Sequence, residues 1–263
     1  MSLVSGILLA SMIATGVSLQ NDGANIVTSA DLVDTLRDGD WLAKERRIEV
    51  ESVKPAGRLS VAAVQALSAE LVHSTELLLD DGHVPPETYP DDFDFNEYIH
   101  SIGDILAREQ NPLAIDALVG VIVSGGSPFS AVLQFGELAV PSVVAAARSE
   151  HGLLGHVSAC LDVLEQMLEN PTAGAGLSST SRALIRSVAA ERFANPGTIG
   201  RRGTLASAAY LGIAIGDVEL RAAAANLIDN AAELQARGVS DPRDVLFISD
   251  RLRQALAKFP APQ

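Results

Sequence analysis

The chain has 263 residues, 48% of them hydrophobic and only 4% aromatic. That is enough to bury a substantial core, and it excludes a disordered polymer. A formal net charge of −14 repels phosphate backbones and anionic lipid, so it argues against nucleic-acid binding and against loose adsorption to a membrane.

The apolar content is mostly Ala, Leu, Val and Ile, which suits closely packed helices better than an aromatic-rich sandwich. Lys44, Lys54 and Lys258 are the only lysines among the basic residues, an arginine bias that reads as the mark of a high-GC, bacterial genome. The single cysteine, Cys160, excludes an intramolecular disulfide and a Cys-based zinc site, and reads as a buried core thiol.

Met1 to Asn21 carries no charged side chain, and Leu3, Val4, Ile7, Leu8, Leu9, Met12, Ile13 and Val17 form an apolar stretch. With Gly16 and Ser18 as a small-residue cleavage site, residues 1–18 read as a signal peptide. That predicts an exported protein, periplasmic or secreted, starting near Leu19. An uncleaved anchor and the first core helix of a cytoplasmic protein are the alternatives. No later segment is expected to reach membrane-spanning length.

From residue 19 onward, apolar residues recur at helical spacing. Leu36-Arg37-Asp38-Gly39-Asp40-Trp41 reads as a turn between helices, with Trp41 plugging the first hairpin or anchoring a partner. Ile48 to Val53 could be helix or strand. Val64, Leu67, Leu71 and Leu78 predict a helix over 60–80. Ile99, Ile102 and Leu106 predict one over 97–109, Val157, Cys160, Leu161, Leu164 and Leu168 a third, and Val245, Ile248, Leu252, Ala255 and Phe259 the last. Pro85-Pro86 and Tyr89-Pro90 open an acidic loop, Gly125-Gly126-Ser127-Pro128 reads as an inter-helix turn, and 172–179 reads as a Gly-rich loop. Asn170-Pro171 and Asn195-Pro196-Gly197 stop helices, and Asp241-Pro242 starts one.

Phe135-Gly136-Glu137-Leu138-Ala139-Val140 and Ile215-Gly216-Asp217-Val218-Glu219-Leu220 share one pattern: apolar, Gly, acid, apolar, any, apolar. Glycine ends one helix in a left-handed conformation and the acid caps the next, whose small residues turn inward. The offset equals about two repeats of roughly 40 residues. On these residues, and on Asp217 to Leu227 and Leu138 to Val144, the chain resembles the HEAT-repeat family. The resemblance implies an all-α fold of antiparallel helix pairs stacked as a short, irregular α-solenoid. It would occupy 19–263, irregular over 19–110 and clearer over 111–263. It also implies a non-enzymatic scaffold that binds another protein.

Three constellations compete with that reading. Glu70-Leu71-Val72-His73 and Glu97-Tyr98-Ile99-His100 are two Glu-x-x-His motifs of the kind di-metal helical bundles use. Both pairs are expected to lie off the buried stripes, as exposed Glu–His pairs rather than ligands. Asp92-Phe93-Asp94-Phe95-Asn96 matches the start of a calcium loop, but Glu97 replaces the required glycine, and Asp94 or Asn96 as a helix cap explains it more simply. His151 and His156 are expected in capping or surface roles. Arg182, Arg186, Arg201 and Arg202 are expected to be solvated, or to dock carboxylates. No catalytic residue is identified and no cofactor is expected. A metal-binding helical protein or a purely structural subunit are the alternatives to the scaffold.

Overall fold

The periodic segments fold as helices. The computed structural model describes residues 26–79, 93–149, 155–170 and 176–260, and every regular element among them is helical. They are α1 (Ile26–Asp38), α2 (Trp41–Ser52), α3 (Val61–Leu79), α4 (Phe95–Glu109), α5 (Ile115–Gly120), α6 (Gly126–Phe135) and α7 (Val140–Arg148). Then follow α8 (His156–Glu169), α9 (Ser179–Ala194), α10 (Arg201–Ile215), α11 (Val218–Leu227), α12 (Ala231–Ala236) and α13 (Pro242–Lys258). Short 3-10 turns at Pro112–Ala114, Ile122–Ser124 and Gly136–Ala139 lead into α5, α6 and α7. The stretch 48–53 belongs to the end of α2 and the residue after it, with Ile48 buried. Residues 1–18, Pro85-Pro86, Tyr89-Pro90, Asp92 and His151 lie outside the described residues.

Local chemistry fixes the helix ends. Asp94 caps α4, its Oδ1 accepting from the amides of Asn96 at 2.9 Å and Glu97 at 3.0 Å. Asp241 caps α13 with Pro242 in its first turn, and Gln110 ends α4 in the left-handed region at φ 51°. Gly39 separates α1 from α2. A Cβ there would sit 2.5 Å from the Thr35 carbonyl oxygen, so the turn admits only glycine.

Helices touch the next-but-one helix as well as the next. The odd-numbered series α1, α3, α5, α7, α9 makes one run of neighbours. The series α2, α4, α6, α8, α10, closed by α13, makes the other. Between the runs, α3 packs on α4, α5 on α6, α7 on α8 and α9 on α10, and α11 packs on α10 and α13. One continuous apolar cluster, from Leu32 on α1 to Ala255 on α13, fills the space between them. The starts of α7, α9 and α11, at Val140, Ser179 and Val218, are equally spaced along the chain.

Within each run, polar side chains stitch helix ends together. At N-termini, Ser142 of α7 donates to Asp116 of α5 at 2.6 Å, and Glu137 accepts from the Ser178 amide and the Ser181 hydroxyl at the start of α9, at 2.9 and 2.7 Å. At C-termini, guanidinium groups donate to the last carbonyls. Arg108 of α4 reaches Glu51 and Ser52 of α2, and Arg192 of α9 reaches Ala147 and Ser149 at the end of α7. Each pairing complements the partial charge of the helix end it meets.

The stretch Gly126–Arg148 corrects one expectation. By length and composition it is apolar enough to cross a membrane, 23 residues at a mean hydropathy of 1.5. Its turn at Gly136, with φ 54°, divides it into α6, a 3-10 segment and α7, which turn Ala131, Val132, Val140 and Val143 into the core.

Candidate functional site

The densest grouping of chemically distinctive side chains lies where α2, α3 and α4 meet. Asp40 caps α2 by accepting from the Ala43 amide at 2.8 Å, and this places Trp41 in the first turn and Lys44 one turn on. The Trp41 ring centroid lies 5.2 Å from Phe93, 5.2 Å from Phe95 and 6.1 Å from Tyr98. Its face is stacked on His73 at 6.3 Å with the planes 12° apart. Trp41 and Phe93 are half-buried and pack on the core, Phe95 is half-buried against both rings, and all three still present apolar area to solvent. Trp41 therefore packs at the junction of α2, α3 and α4.

Beneath the rings sits a buried ion pair. Lys44 Nζ is 3.1 and 3.0 Å from the two oxygens of Glu70, and 4.9 Å from the Trp41 centroid. The Tyr98 hydroxyl donates to Glu70 Oε1 at 3.1 Å, and Ser74 Oγ lies 3.5 Å from the same oxygen. The Lys44 and Glu70 side chains are 11% and 5% exposed. Burial, then the Glu70 charge, drives the Tyr98 phenol far above the ordinary tyrosine range, so it stays a donor. The arrangement holds one charge pair under an apolar surface.

The four Glu-x-x-His residues are treated differently from one another. Glu70 is buried, contrary to the expectation of an exposed pair, because α3 has neighbours on more than one side. His73 is exposed and belongs to the Trp41 stack. Glu97 lies exposed in the first turn of α4. The half-buried His100 ring packs on Gly126, where an added Cβ would be 2.3 Å from Nε2. Among the described residues, no group of three or more His, Cys, Asp or Glu side chains could hold a metal ion. Asp94 spends its oxygen on two backbone amides, the capping role that competed with the calcium reading.

The two copies of the Gly-acid pattern use their acids differently. Gly216 ends α10 at φ 82°, and Asp217 caps α11 by accepting from the Leu220 amide at 2.9 Å. Glu137 caps α9, a neighbouring helix, and not α7. Hydrogen bonds from Ser178 and Ser181 hold its carboxyl below the usual range. Close packing in the second copy comes from Gly212 of α10, where a Cβ would meet Leu220 at 2.6 Å; of Ala222 to Ala225 only Ala224 is buried.

Of three other expectations, the one for His156 shifts. His156 is buried at the start of α8, and burial pushes its imidazole below the ordinary histidine range. The arginines expected to be solvated or to dock carboxylates include two that do both: Arg186 pairs with Asp217 at 2.5 Å and Arg202 with Asp244 at 2.8 Å, each more than half exposed, while Arg201 donates to the Gly197 carbonyl at 2.7 Å. Cys160 is buried, and its thiol is pushed up to about 12 by burial and then by Asp162.

No family model matches the chain, and no curated protein or solved structure matches it either.

Proposed function

We propose that this chain is a non-enzymatic protein–protein interaction scaffold of the HEAT-like α-solenoid type, exported through a signal peptide at residues 1–18. The observation that carries the reading is the next-but-one packing of the helices in two runs. A layered array of antiparallel helix pairs makes contacts of that kind, and such arrays act through a broad outer face. Equal spacing of the α7, α9 and α11 starts supports a repeating unit in the C-terminal half. The Trp41, Phe93 and Phe95 cluster is the contact point on this reading. It is apolar, backed by the Lys44–Glu70 pair, and built from aromatic residue types enriched at interface cores.

The test is site-specific photo-crosslinking in the native host. A benzophenone side chain at Leu42, beside Trp41 and 42% exposed, should give a discrete crosslinked species that Trp41→Ala abolishes. The same group at exposed Gln254 of α13 is the control. Identical products at both positions, or none at Leu42, would overturn the assignment of the binding face. Terminal sequencing of the mature protein checks export, since a retained Met1 in cells would remove the signal-peptide reading.

A further inference from the structure

The rim of the aromatic cluster carries charge of one sign. Trp41 opens α2 and Phe95 opens α4, and their ring centroids lie 5.2 Å apart, so the two helix N-termini stand side by side. Each is capped by an exposed aspartate next to a ring: Asp40 precedes Trp41, and Asp94 lies between Phe93 and Phe95. Both caps spend one oxygen on backbone amides. Asp40 Oδ1 accepts from Ala43, and Asp94 Oδ1 accepts from Asn96 and Glu97. The second oxygen of each exposed carboxylate remains for another donor. Glu97 is exposed in the first turn of α4, and the half-buried Glu45 of α2 is close enough for its charge to act on Tyr98.

Most cations of α2 and the loop after it are already engaged. Lys44 is held by Glu70 beneath the rings, Lys54 by Glu51, and Arg47 by Asp31 at 2.9 Å and Glu51 at 2.8 Å. Arg46 is exposed, but its Cα stands about 140° round α2 from that of Trp41. From α3 come His73, stacked on Trp41, and Glu76, both exposed. An apolar centre is thus rimmed by carboxylates, in a chain of net charge −14. A wholly apolar or acidic segment docking there would desolvate those carboxylates without pairing them. A cation would pair with them and gain from the ring faces as well. Trp41 already accepts one, the Lys44 ammonium 4.9 Å from its centroid.

On the reading that the aromatic cluster is the contact point, we propose that its partner is a basic segment of another protein, one that sets arginine or lysine side chains between apolar residues. The apolar residues cover Trp41, Phe93 and Phe95. The cations meet the second oxygens of Asp40 and Asp94 and the carboxylate of Glu97. Both aspartates are already fixed by their caps, so little side-chain freedom is lost when a cation docks. Arginine suits the place better than lysine, because a guanidinium can lie on a ring and fork to a carboxylate. These pairs are exposed, so they govern on-rate and partner choice more than tight affinity, and salt weakens them.

Two synthetic peptides test this on the full chain. Each has about 15 residues, with Leu and Ala in the same amphipathic helical pattern, and they differ only in carrying Arg or Glu at the polar positions. The fluorescence of Trp41, the sole tryptophan, reports binding. The Arg peptide should shift the emission saturably, with an affinity that falls as salt rises from about 50 to about 300 mM, and the Glu peptide should not. The variant Asp40→Asn, Asp94→Asn, Glu97→Gln should bind the Arg peptide about tenfold more weakly, the effect of two or three exposed pairs, while asparagine keeps both caps. The variant Glu219→Gln, Asp241→Asn, Asp250→Asn removes the same charge at α11 and α13, and should change affinity by less than about twofold because distant charges are screened.

Equal binding of the two peptides, no binding of the Arg peptide, or an equal loss in the two triple variants overturns the basic-partner proposal. The peptide comparison uses the unmodified chain, so it decides even where a variant fails to fold. A Trp41-dependent crosslink at Leu42 together with a failed Arg peptide locates the error in the partner's chemistry. Absence of both removes the contact face itself.

Discussion

Removing the Lys44 ammonium isolates the energetics of the aromatic site. Lys44→Met keeps the aliphatic stem but leaves Glu70, at 5% exposure, with only the Tyr98 and Ser74 hydroxyls as donors. Breaking a buried pair from one side costs about 3–5 kcal/mol, because the remaining charge stays desolvated. For a chain of this size that is about 6–20 °C in Tm, at about 2–4 °C per kcal/mol. Glu70→Met strands Lys44 instead, and the smaller loss is expected there, since Lys44 at 11% exposure can reach water more easily. The combined variant Lys44→Met, Glu70→Met, Tyr98→Phe removes both charges and the hydroxyl that would otherwise lose its acceptor. It should recover most of the loss, and it falls within the class of apolar replacements that are neutral or stabilising by about 1–4 kcal/mol. Urea unfolding followed by circular dichroism and by fluorescence of Trp41, the sole tryptophan, measures global and local transitions together. A loss below about 1 kcal/mol in Lys44→Met, or a combined variant as unstable as the two single losses added, would refute the buried-pair reasoning.

Asp217→Ala should cost about 1 kcal/mol in urea unfolding, because the Leu220 amide loses its acceptor; Asp217→Asn should restore most of it. Gly126→Ala should lower the thermal midpoint through both its positive φ of 53° and the contact with His100, and adding His100→Ala should recover only the steric part. Arg192→Lys should lose about 1–3 kcal/mol, since an ammonium cannot fork to the Ala147 and Ser149 carbonyls, whereas Arg243→Lys at the exposed start of α13 should stay within about 0.5 kcal/mol in the same assay.

Single-helix patterns were legible because each is local. The stripe of α4 is visible as Ile99, Ile102 and Leu106, and the Asp241-Pro242 start of α13 is written in adjacent residues. The aromatic site was half legible. Trp41 reads as a plug or an anchor, and Glu70 reads as half of an exposed Glu–His pair, whereas it is buried. Stripe logic gives a helix one buried side, but α3 lies against α1, α4 and α5, and the side bearing Glu70 faces Lys44 from α2 and Tyr98 from α4. Those partners are 26 and 28 residues away in the chain, so no spacing rule within a helix could pair them. The same limit applies to Glu137. Its position after Gly136 announces a cap, but the amide it accepts from is 41 residues later in the chain, at Ser178, the residue that precedes α9.

The arginine bias, attributed from sequence to genome composition, has a physical use in this architecture. A helix presents its unpaired carbonyls as a ring at its C-terminal end, and neighbours in the same run must meet that ring without burying it unsatisfied. A guanidinium satisfies two carbonyls at once, as Arg108 does at Glu51 and Ser52, Arg192 at Ala147 and Ser149, and Arg221 at Leu256 and Phe259. Arg237 extends the device to the Phe193 carbonyl at the end of α9, at 2.9 Å, with its guanidinium 4.6 Å from the Phe193 ring. Carboxylates and hydroxyls do the complementary work at N-termini, where Glu137, Asp217 and Ser178 take amide protons. The layered packing is therefore specified twice: by apolar stripes that set which faces meet, and by end-capping side chains that set how far one helix slides along the next. The second specification draws on donors of fixed fork geometry, which a guanidinium supplies and an ammonium does not.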